Sequence, residues 1–210
     1  MLYKFHGPVD KGLAKLSDVF ASDPDKVIVI DVHSEGGSCS ELSYILSNID
    51  AAKQDGKTVI TACSGIACSA GGTILFQGDQ VYLGIASLIL LHEATNDFCS
   101  PYYMCKFYFD RVKNRLLGDK KADMLEIHNK LLSSFEPWSS ILDFFGEEKI
   151  RNDYTFTAEE AKRMFPDRVM VEAIPLAFRT GRIVSINQDM DVSIMSYKEA
   201  LEDDEAVIEM

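Results

Sequence analysis

The segment Val27–Val32 constrains the fold of this chain more than any other part of the sequence. It reads Val-Ile-Val-Ile-Asp-Val, a nearly continuous run of β-branched residues without the polar and apolar alternation of a half-exposed strand. Runs of this kind are typical of strands that are buried on both faces in parallel sheets covered by helices. The segment therefore predicts an α/β fold with a mainly parallel sheet.

The rest of the chain alternates between strand-like and helix-like segments, as repeated β-α-β units do. Its 210 residues, 47% of them hydrophobic, suit one sizeable core. Apolar spacing predicts strands over Leu2–Phe5, Lys57–Cys63, Gln80–Leu83, Ser87–His92 and Val169–Ile174. It predicts helices over Lys11–Phe20 and Cys39–Lys53, a short apolar helix that follows Gly72 and runs through Phe76, and long helices over much of 101–145. A short helix is also predicted at Thr157, which forms a capping-box pattern with Glu160.

Composition and charge disfavour several classes of function. A net charge of −12 without a basic stripe does not suit nucleic acid, because such binding uses Lys and Arg to displace counterions. No apolar stretch is long enough to span a bilayer, and no signal-peptide pattern opens the chain, so we expect a cytoplasmic protein. Five cysteines without a Cys-x-x-Cys pair indicate neither a disulfide framework nor a zinc site.

Three predicted strand ends carry candidate catalytic groups, before Gly36-Gly37, before Ser69 and at His92, at the place where α/β folds put their sites. Gly36-Gly37 could direct a backbone N–H at a substrate carbonyl, although the pair alone is better explained as a tight turn. Ser69 lies among small residues on a strand-to-helix turn, which suits a nucleophile. Taken alone, however, it fits an N-cap serine better.

Two further candidates are weaker when each is judged alone. His92 ends the apolar strand Leu88–Leu91, and a histidine there is more often a satisfied core residue than a base. Asp153 is selected by no local rule, because an aspartate in a loop is usually solvated. Periodicity and spacing therefore suggest candidates without naming a mechanism.

In combination, these segments resemble the Clp protease proteolytic subunit family. Where that family has a Ser-Pro-Gly-Gly loop, this chain has Ser34-Glu35-Gly36-Gly37, and Gly65-Ile66-Ala67-Cys68-Ser69 is similar to its Gly-x-Ala-x-Ser nucleophile turn. Leu88–His92 is similar to the strand that ends in the family's catalytic histidine. Residues 153–161 resemble its aspartate and the Ala-x-x-Ala helix that follows. The four landmarks occur in the family's order.

The resemblance implies a serine peptidase with a Ser-His-Asp triad. Ser69 would be the nucleophile and His92 the general base, and Asp153 would orient the imidazole. The backbone N–H groups of Gly37 and Ala70 would form the oxyanion hole. This chemistry requires no metal and no cofactor, and its substrate would be a protein or peptide.

The resemblance also implies an architecture and an assembly. The fold would be a crotonase-like spiral of ββα units, with a projecting helical handle over about Pro101–Phe145. Handles from neighbouring subunits would pair, building a homo-oligomeric ring that encloses the active sites. The peptidase domain would cover residues 1–175, and residues 176–210 would form a C-terminal extension with an acidic tail.

The sequence departs from the family pattern at three places. Glu35 replaces the usual proline, which puts a carboxylate beside the oxyanion loop, and Glu93-Ala94 replaces a Gln-Pro-like sequence after the histidine. The chain begins almost at its first strand, without the family's segment that contacts the unfoldase, so we expect it to work without a Clp ATPase. Shortened relatives occur among bacteriophage head-maturation proteases, a role that would place the chain in a host cytoplasm.

Other interpretations remain open. The chain could be an inactive scaffold that keeps the ring-forming fold, although an inactive scaffold has no physical need for a complete triad. Glu35 and Glu93 keep open an acyl-CoA enzyme, because the crotonase fold also binds thioesters. Cys68 is a rival nucleophile and His33 a rival base, but His33 matches a position that the family fills with a non-catalytic residue.

Overall fold

A computed structural model describes residues 1–91, 154–179, 181–186 and 191–196. The chain divides into two compact units, residues 1–90 with 155–210, and residues 91–154. The described residues belong almost entirely to the first unit. The predicted handle, His92 and Asp153 lie outside the described residues, and so does the acidic end of the chain.

These ranges contain ten strands and five helices. In chain order they are β1 (Leu2–His6), α1 (Lys11–Asp18), β2 (Val27–His33), α2 (Cys39–Gln54), β3 (Thr58–Cys63), β4 (Ile66–Cys68), α3 (Ala70–Leu75), β5 (Gln80–Leu83), β6 (Leu88–Leu91), β7 (Tyr154–Thr157), α4 (Ala158–Met164), β8 (Val169–Met170), α5 (Leu176–Arg179), β9 (Arg182–Ile186) and β10 (Val192–Ser196). None of the described helices is both long and apolar enough to cross a membrane.

The strands form a seven-stranded sheet in the order β10-β9-β1-β2-β3-β5-β8 and a three-stranded sheet in the order β4-β6-β7. In the larger sheet every neighbouring pair is parallel except β9 and β10. The predicted α/β class with a mainly parallel sheet is therefore confirmed. The spiral of ββα units stays a prediction.

A row of buried residues crosses the larger sheet and explains the apolar run in β2. Tyr3 lies opposite Ile30, Ile30 opposite Thr61, and Thr61 opposite Val81, and each of these residues is fully buried. Thr61 is the polar member of the row, and its hydroxyl donates a hydrogen bond of 2.5 Å to the carbonyl of Leu75 in α3. Because this donor is satisfied, the row can be buried without leaving an unpaired polar group.

The helix boundaries follow local capping chemistry. Asp10 accepts hydrogen bonds from the first-turn N–H groups of Gly12 and Leu13, which begins α1. The capping box predicted at Thr157 is confirmed, since its hydroxyl accepts from the Glu160 N–H while the Glu160 carboxylate accepts from the Thr157 N–H.

Two features near the C-terminal end differ from the sequence expectation. The strand predicted over Val169–Ile174 is only two residues long, because β5 offers few further partners and the chain bends at Glu172 before Pro175. Residues 182–196 were expected in an extension, and they add β9 and β10 to the larger sheet through a parallel pairing of β9 with β1. Short strands at a sheet edge carry too weak a pattern to be found from sequence.

A buried phenol and carboxylate join β1 to the turn before β2. The Tyr3 hydroxyl donates a hydrogen bond of 2.8 Å to Oδ2 of Asp23, and both side chains are buried. The Tyr3 ring contacts Phe20 edge to face at a centroid separation of 4.8 Å. Burial first, and then the Asp23 carboxylate, raises the pKa of Tyr3 above its ordinary value.

We predict that Tyr3→Phe lowers the free energy of unfolding by about 1–3 kcal/mol, because the buried Asp23 carboxylate loses a donor. A raised tyrosine pKa stabilises the folded chain below pH 10, and that contribution falls as the pH rises and the unfolded tyrosine ionises. The variant should therefore lose less stability than wild type above pH 10. Urea unfolding at pH 7 and pH 10.5 measures both effects, and equal stabilities at pH 7 would contradict the first.

Candidate active site

Two loops meet beside the carboxyl ends of β2 and β4. The Ser34 N–H donates to the carbonyl of Ile66 at 3.1 Å, and the Cys68 N–H donates to the carbonyl of Ser34 at 2.8 Å. These bonds form an isolated parallel bridge between Ser34 and Ala67. The Gly-Gly loop that follows β2 is thereby joined to the turn that follows β4.

Ser34 also organises the loop that it begins. Its hydroxyl accepts a hydrogen bond of 3.1 Å from the Gly36 N–H, and the residue is only 1% exposed. A Cβ at Gly71 in α3 would lie 2.8 Å from the Ser34 Cβ, so Ser34 packs closely against that helix. Sequence reasoning missed this role, although Ser34 is the first residue of the Ser-x-Gly-Gly segment.

Ser69 occupies a strained turn between β4 and α3. It has φ 53° and ψ −120°, and it is the one non-glycine residue with positive φ among those that the structure describes. Such a conformation costs about 1–3 kcal/mol and persists only where the surroundings impose it. A nucleophile elbow uses a sharp, strained strand-to-helix turn of this kind to present a serine hydroxyl.

The side chain of Ser69 does not act as a helix cap. Although Ser69 stands at the N-cap position of α3, its hydroxyl makes no capping hydrogen bond. Ser69 therefore has the N-cap position that the sequence favoured for it alone, but it lacks the side-chain hydrogen bond of an ordinary N-cap serine. The side chain is partly exposed, whereas Ala70, Gly71 and Gly72 behind it are buried.

Gly36 places the loop directly against Ser69. A Cβ at residue 36 would lie 2.6 Å from the Ser69 Cβ and 3.2 Å from the Ser69 Oγ. Gly36 has φ +104°, a conformation that side chains rarely adopt. Both the contact and the conformation require glycine, so the Gly-Gly pair is more than a tight turn on the surface.

The two predicted oxyanion donors are the residues that follow the contacting pair, since Gly37 comes after Gly36 and Ala70 comes after Ser69. Ala70 begins α3, and Gly37 is held beside Val9 by a parallel bridge. Among the described residues, neither the Gly37 N–H nor the Ala70 N–H donates to a protein acceptor. Backbone N–H groups that have no protein acceptor can donate hydrogen bonds to a negatively charged oxygen.

A second strand supports the turn from the other side. β6 pairs in parallel with β4, with Cys68 opposite Leu90, and the Ser69 N–H donates to the Leu90 carbonyl at 2.7 Å. In sequence, His92 follows the last residue of β6, and Asp153 precedes the first residue of β7. Both residues lie outside the described part of the chain, so their roles stay predictions.

Cys68 is chemically a poor rival to Ser69. Burial raises the pKa of the Cys68 thiol, and the nearby Glu35 carboxylate also raises it. Cysteine nucleophiles react as thiolates and need a lowered pKa. The surroundings of Cys68 raise the pKa of its thiol, whereas a cysteine nucleophile needs a lowered pKa.

His33, the rival base, is exposed and lies beside Gly65 and His6. A Cβ at Gly65 would lie 2.7 Å from the His33 ring, which also stands 5.9 Å from the His6 ring. The His6 Nε2 is 3.0 Å from Oδ2 of Asp31. In the described ranges, no group of three or more His, Cys, Asp or Glu residues could hold a metal ion.

Comparison with models of known protein families matches residues 9–100 to the family described as Clp protease. The matched stretch includes Gly37, Ser69, Ala70 and His92, whereas Asp153 lies beyond it. No curated protein matches the chain.

We predict that Gly36→Ala destroys the reactivity of Ser69, because a methyl group would overlap the Ser69 side chain. Gly56→Ala is the matched control: Gly56 also has positive φ, at +81°, but its Cβ would meet nothing within 4 Å. Both variants lose about 1 kcal/mol for the backbone conformation. Fluorophosphonate labelling should fall at least about 100-fold in Gly36→Ala alone. Equal labelling of the two variants would contradict the close contact.

We also predict that Cys68 is alkylated by iodoacetamide more slowly in the folded chain than in the urea-unfolded chain. The raised pKa keeps the thiol protonated at pH 8, and its alkylation rate should still be rising above pH 9. Mass spectrometry of the peptide containing Cys68 measures the rate. Faster alkylation in the folded chain at pH 7 would instead identify an activated thiolate.

Proposed function

We propose that the chain is a serine endopeptidase with Ser69 as its nucleophile, on the premise that residues 9–100 match the Clp protease family. His92 is the general base in this proposal, and Asp153 orients it. The backbone N–H groups of Gly37 and Ala70 form the oxyanion hole.

The conformation of Ser69 is the observation that carries the proposal. Its backbone is strained, its hydroxyl makes no capping hydrogen bond to α3, and Gly36 packs against its side chain. A serine with only a structural role would gain nothing from the strain, whereas a nucleophile must present its oxygen beside the oxyanion donors. Gly37 directly follows Gly36, so the loop that contacts Ser69 also contains one of the two proposed oxyanion donors.

The three-stranded sheet supports the assignment of the other two triad members. Ser69 follows β4, His92 follows β6, and Asp153 precedes β7 in sequence, and these strands have the order β4-β6-β7. Each proposed catalytic residue is therefore adjacent in sequence to a strand of one small sheet. Sites at the carboxyl ends of strands are common in α/β enzymes, and Ser69 and His92 follow such ends.

The proposed chemistry follows the serine peptidase pattern. His92 takes the proton of Ser69 as its oxygen attacks the peptide carbonyl, and the Gly37 and Ala70 N–H groups stabilise the oxyanion. His92 then gives the proton to the leaving amine, and water hydrolyses the acyl-enzyme by the same steps. Asp153 fixes the tautomer of His92 and stabilises its cation.

We further propose that the active sites are enclosed in a homo-oligomeric ring. The processing of scaffold or capsid proteins of a bacteriophage is the substrate role that we propose for such a ring. Both proposals rest on the resemblance of the four sequence landmarks to the Clp family and its shortened relatives. Mass photometry would count the subunits of the assembled particle.

Fluorophosphonate labelling read by intact mass tests the proposed function. We expect wild type to take up one adduct per chain and Ser69→Ala to take up none. His92→Ala should react about 100-fold to 10,000-fold more slowly, because the serine loses its base. Ser64→Ala is the matched control, because it removes an exposed serine five residues away and should label like wild type.

Two results would contradict the proposal. An adduct that persists in Ser69→Ala would mean that another residue is the nucleophile. An assembled wild-type protein that takes up no adduct would favour the inactive scaffold instead.

A further inference from the structure

Glu35 stands at the centre of the loop that contacts the nucleophile. Its neighbours in the chain, Ser34 and Gly36, are buried, whereas Glu35 itself is exposed. The hydrogen bonds of Ser34 to Ile66 and Cys68 hold this loop on the turn before Ser69. The backbone of Glu35 is therefore fixed, and its carboxylate faces solvent beside the site.

The carboxylate is close enough to meet a bound substrate. A Cβ at residue 36 would lie 3.2 Å from the Ser69 Oγ. Glu35 is the residue before it, and the two Cα atoms are about 3.8 Å apart. A glutamate side chain thus keeps its carboxylate within roughly 13 Å of the Ser69 oxygen. An extended peptide advances about 3.3–3.6 Å per residue, so this distance covers the side chains next to the scissile bond.

Glu35 also lacks a cationic partner within the described part of the chain. Of the ion pairs formed there, none involves Glu35. Its charge does influence the site, because it contributes, after burial, to the raised pKa of the Cys68 thiol. An exposed carboxylate in this position is available to pair with a cation that arrives on a substrate.

We propose that Glu35 is a specificity-determining residue that selects substrates with a lysine or arginine side chain next to the scissile bond. This inference rests on the proposed function and adds to it the charge class of the substrate. The same carboxylate repels an acidic side chain and raises the energy of the oxyanion that forms on Gly37 and Ala70. Glu35 therefore favours basic substrates and slows reaction with all others.

The size of the preference for a basic substrate follows from the solvent exposure of the ion pair that Glu35 would form with it. An exposed ion pair changes an equilibrium or rate by up to roughly fivefold, and salt weakens it because the Debye length is about 10 Å at 0.1 M ionic strength. The preference for a basic side chain should therefore be several-fold in 20 mM salt. It should be nearly lost in 1 M salt, where the Debye length is about 3 Å.

Three fluorophosphonates test the inference. They share one linker length and end in an ammonium, a neutral amide or a carboxylate about 6 Å from the phosphorus. The second-order rate of Ser69 labelling is measured for each. In wild type, we expect the ammonium probe to react several-fold faster than the amide, and the carboxylate probe to react slowest. Glu35→Gln should bring the three rates to within about twofold of each other and raise the rate of the amide probe.

Two further variants distinguish an effect of the Glu35 carboxylate from an effect of the net charge of the chain. Asp55→Asn removes one exposed carboxylate at the end of α2 before β3, at the opposite end of that strand from the Ser69 turn, and should keep the wild-type ratios. Glu35→Asp keeps the charge on a shorter side chain and should keep part of the preference. Equal losses in Glu35→Gln and Asp55→Asn would overturn the inference, because net charge would then explain the ratios.

The remaining outcomes distinguish this inference from the function on which it rests. Wild type that labels with all three probes at equal rates, or Glu35→Gln that keeps the wild-type ratios, would overturn the inference and leave Ser69 as the nucleophile. Wild type that labels with none of the probes would overturn both.

Discussion

The attachment of the Ser34–Gly37 loop to the Ser69 turn is the interaction on which the rest of the site depends. Two backbone hydrogen bonds of Ser34, and one that its hydroxyl accepts from the Gly36 N–H, hold the loop in place, and Gly36 then fits against the Ser69 side chain. Neither loop defines a site alone. Only their contact places a Gly-Gly backbone beside a serine hydroxyl, which is the arrangement that acyl transfer needs.

The sheets make this contact rigid enough to hold a strained residue. β2 lies in the middle of the larger sheet with parallel partners on both sides, and its apolar residues are buried. Ser69 is held by the Leu90 carbonyl on one side and by buried α3 on the other. Strain of about 1–3 kcal/mol is affordable only because so many buried contacts over-determine the turn.

The parts of the fold that were predicted correctly are those with strong local patterns. The β-branched run of β2, the apolar face of α2 and the capping box at Thr157 each reflect a short stretch of chain, and each was found within a residue or two. The strand β9, the edge strand β10 and the early end of β8 were missed. Their structure depends on which strands happen to lie beside them, and periodicity does not record that.

By itself the sequence determined the α/β class, the order of the elements and the residue types at the strand ends, because periodicity and side-chain shape act locally. It did not decide whether Ser69 caps a helix or presents a nucleophile, since both uses need a serine before a helix. The tertiary structure adds that the Ser69 hydroxyl makes no capping hydrogen bond and that the Ser69 backbone is strained. The Ser69 N–H donates to the Leu90 carbonyl, and the Cys68 N–H beside it donates to the Ser34 carbonyl, so both bonds hold the strained turn at Ser69. Contacts between residues 21 and 34 positions apart leave no local pattern in the chain.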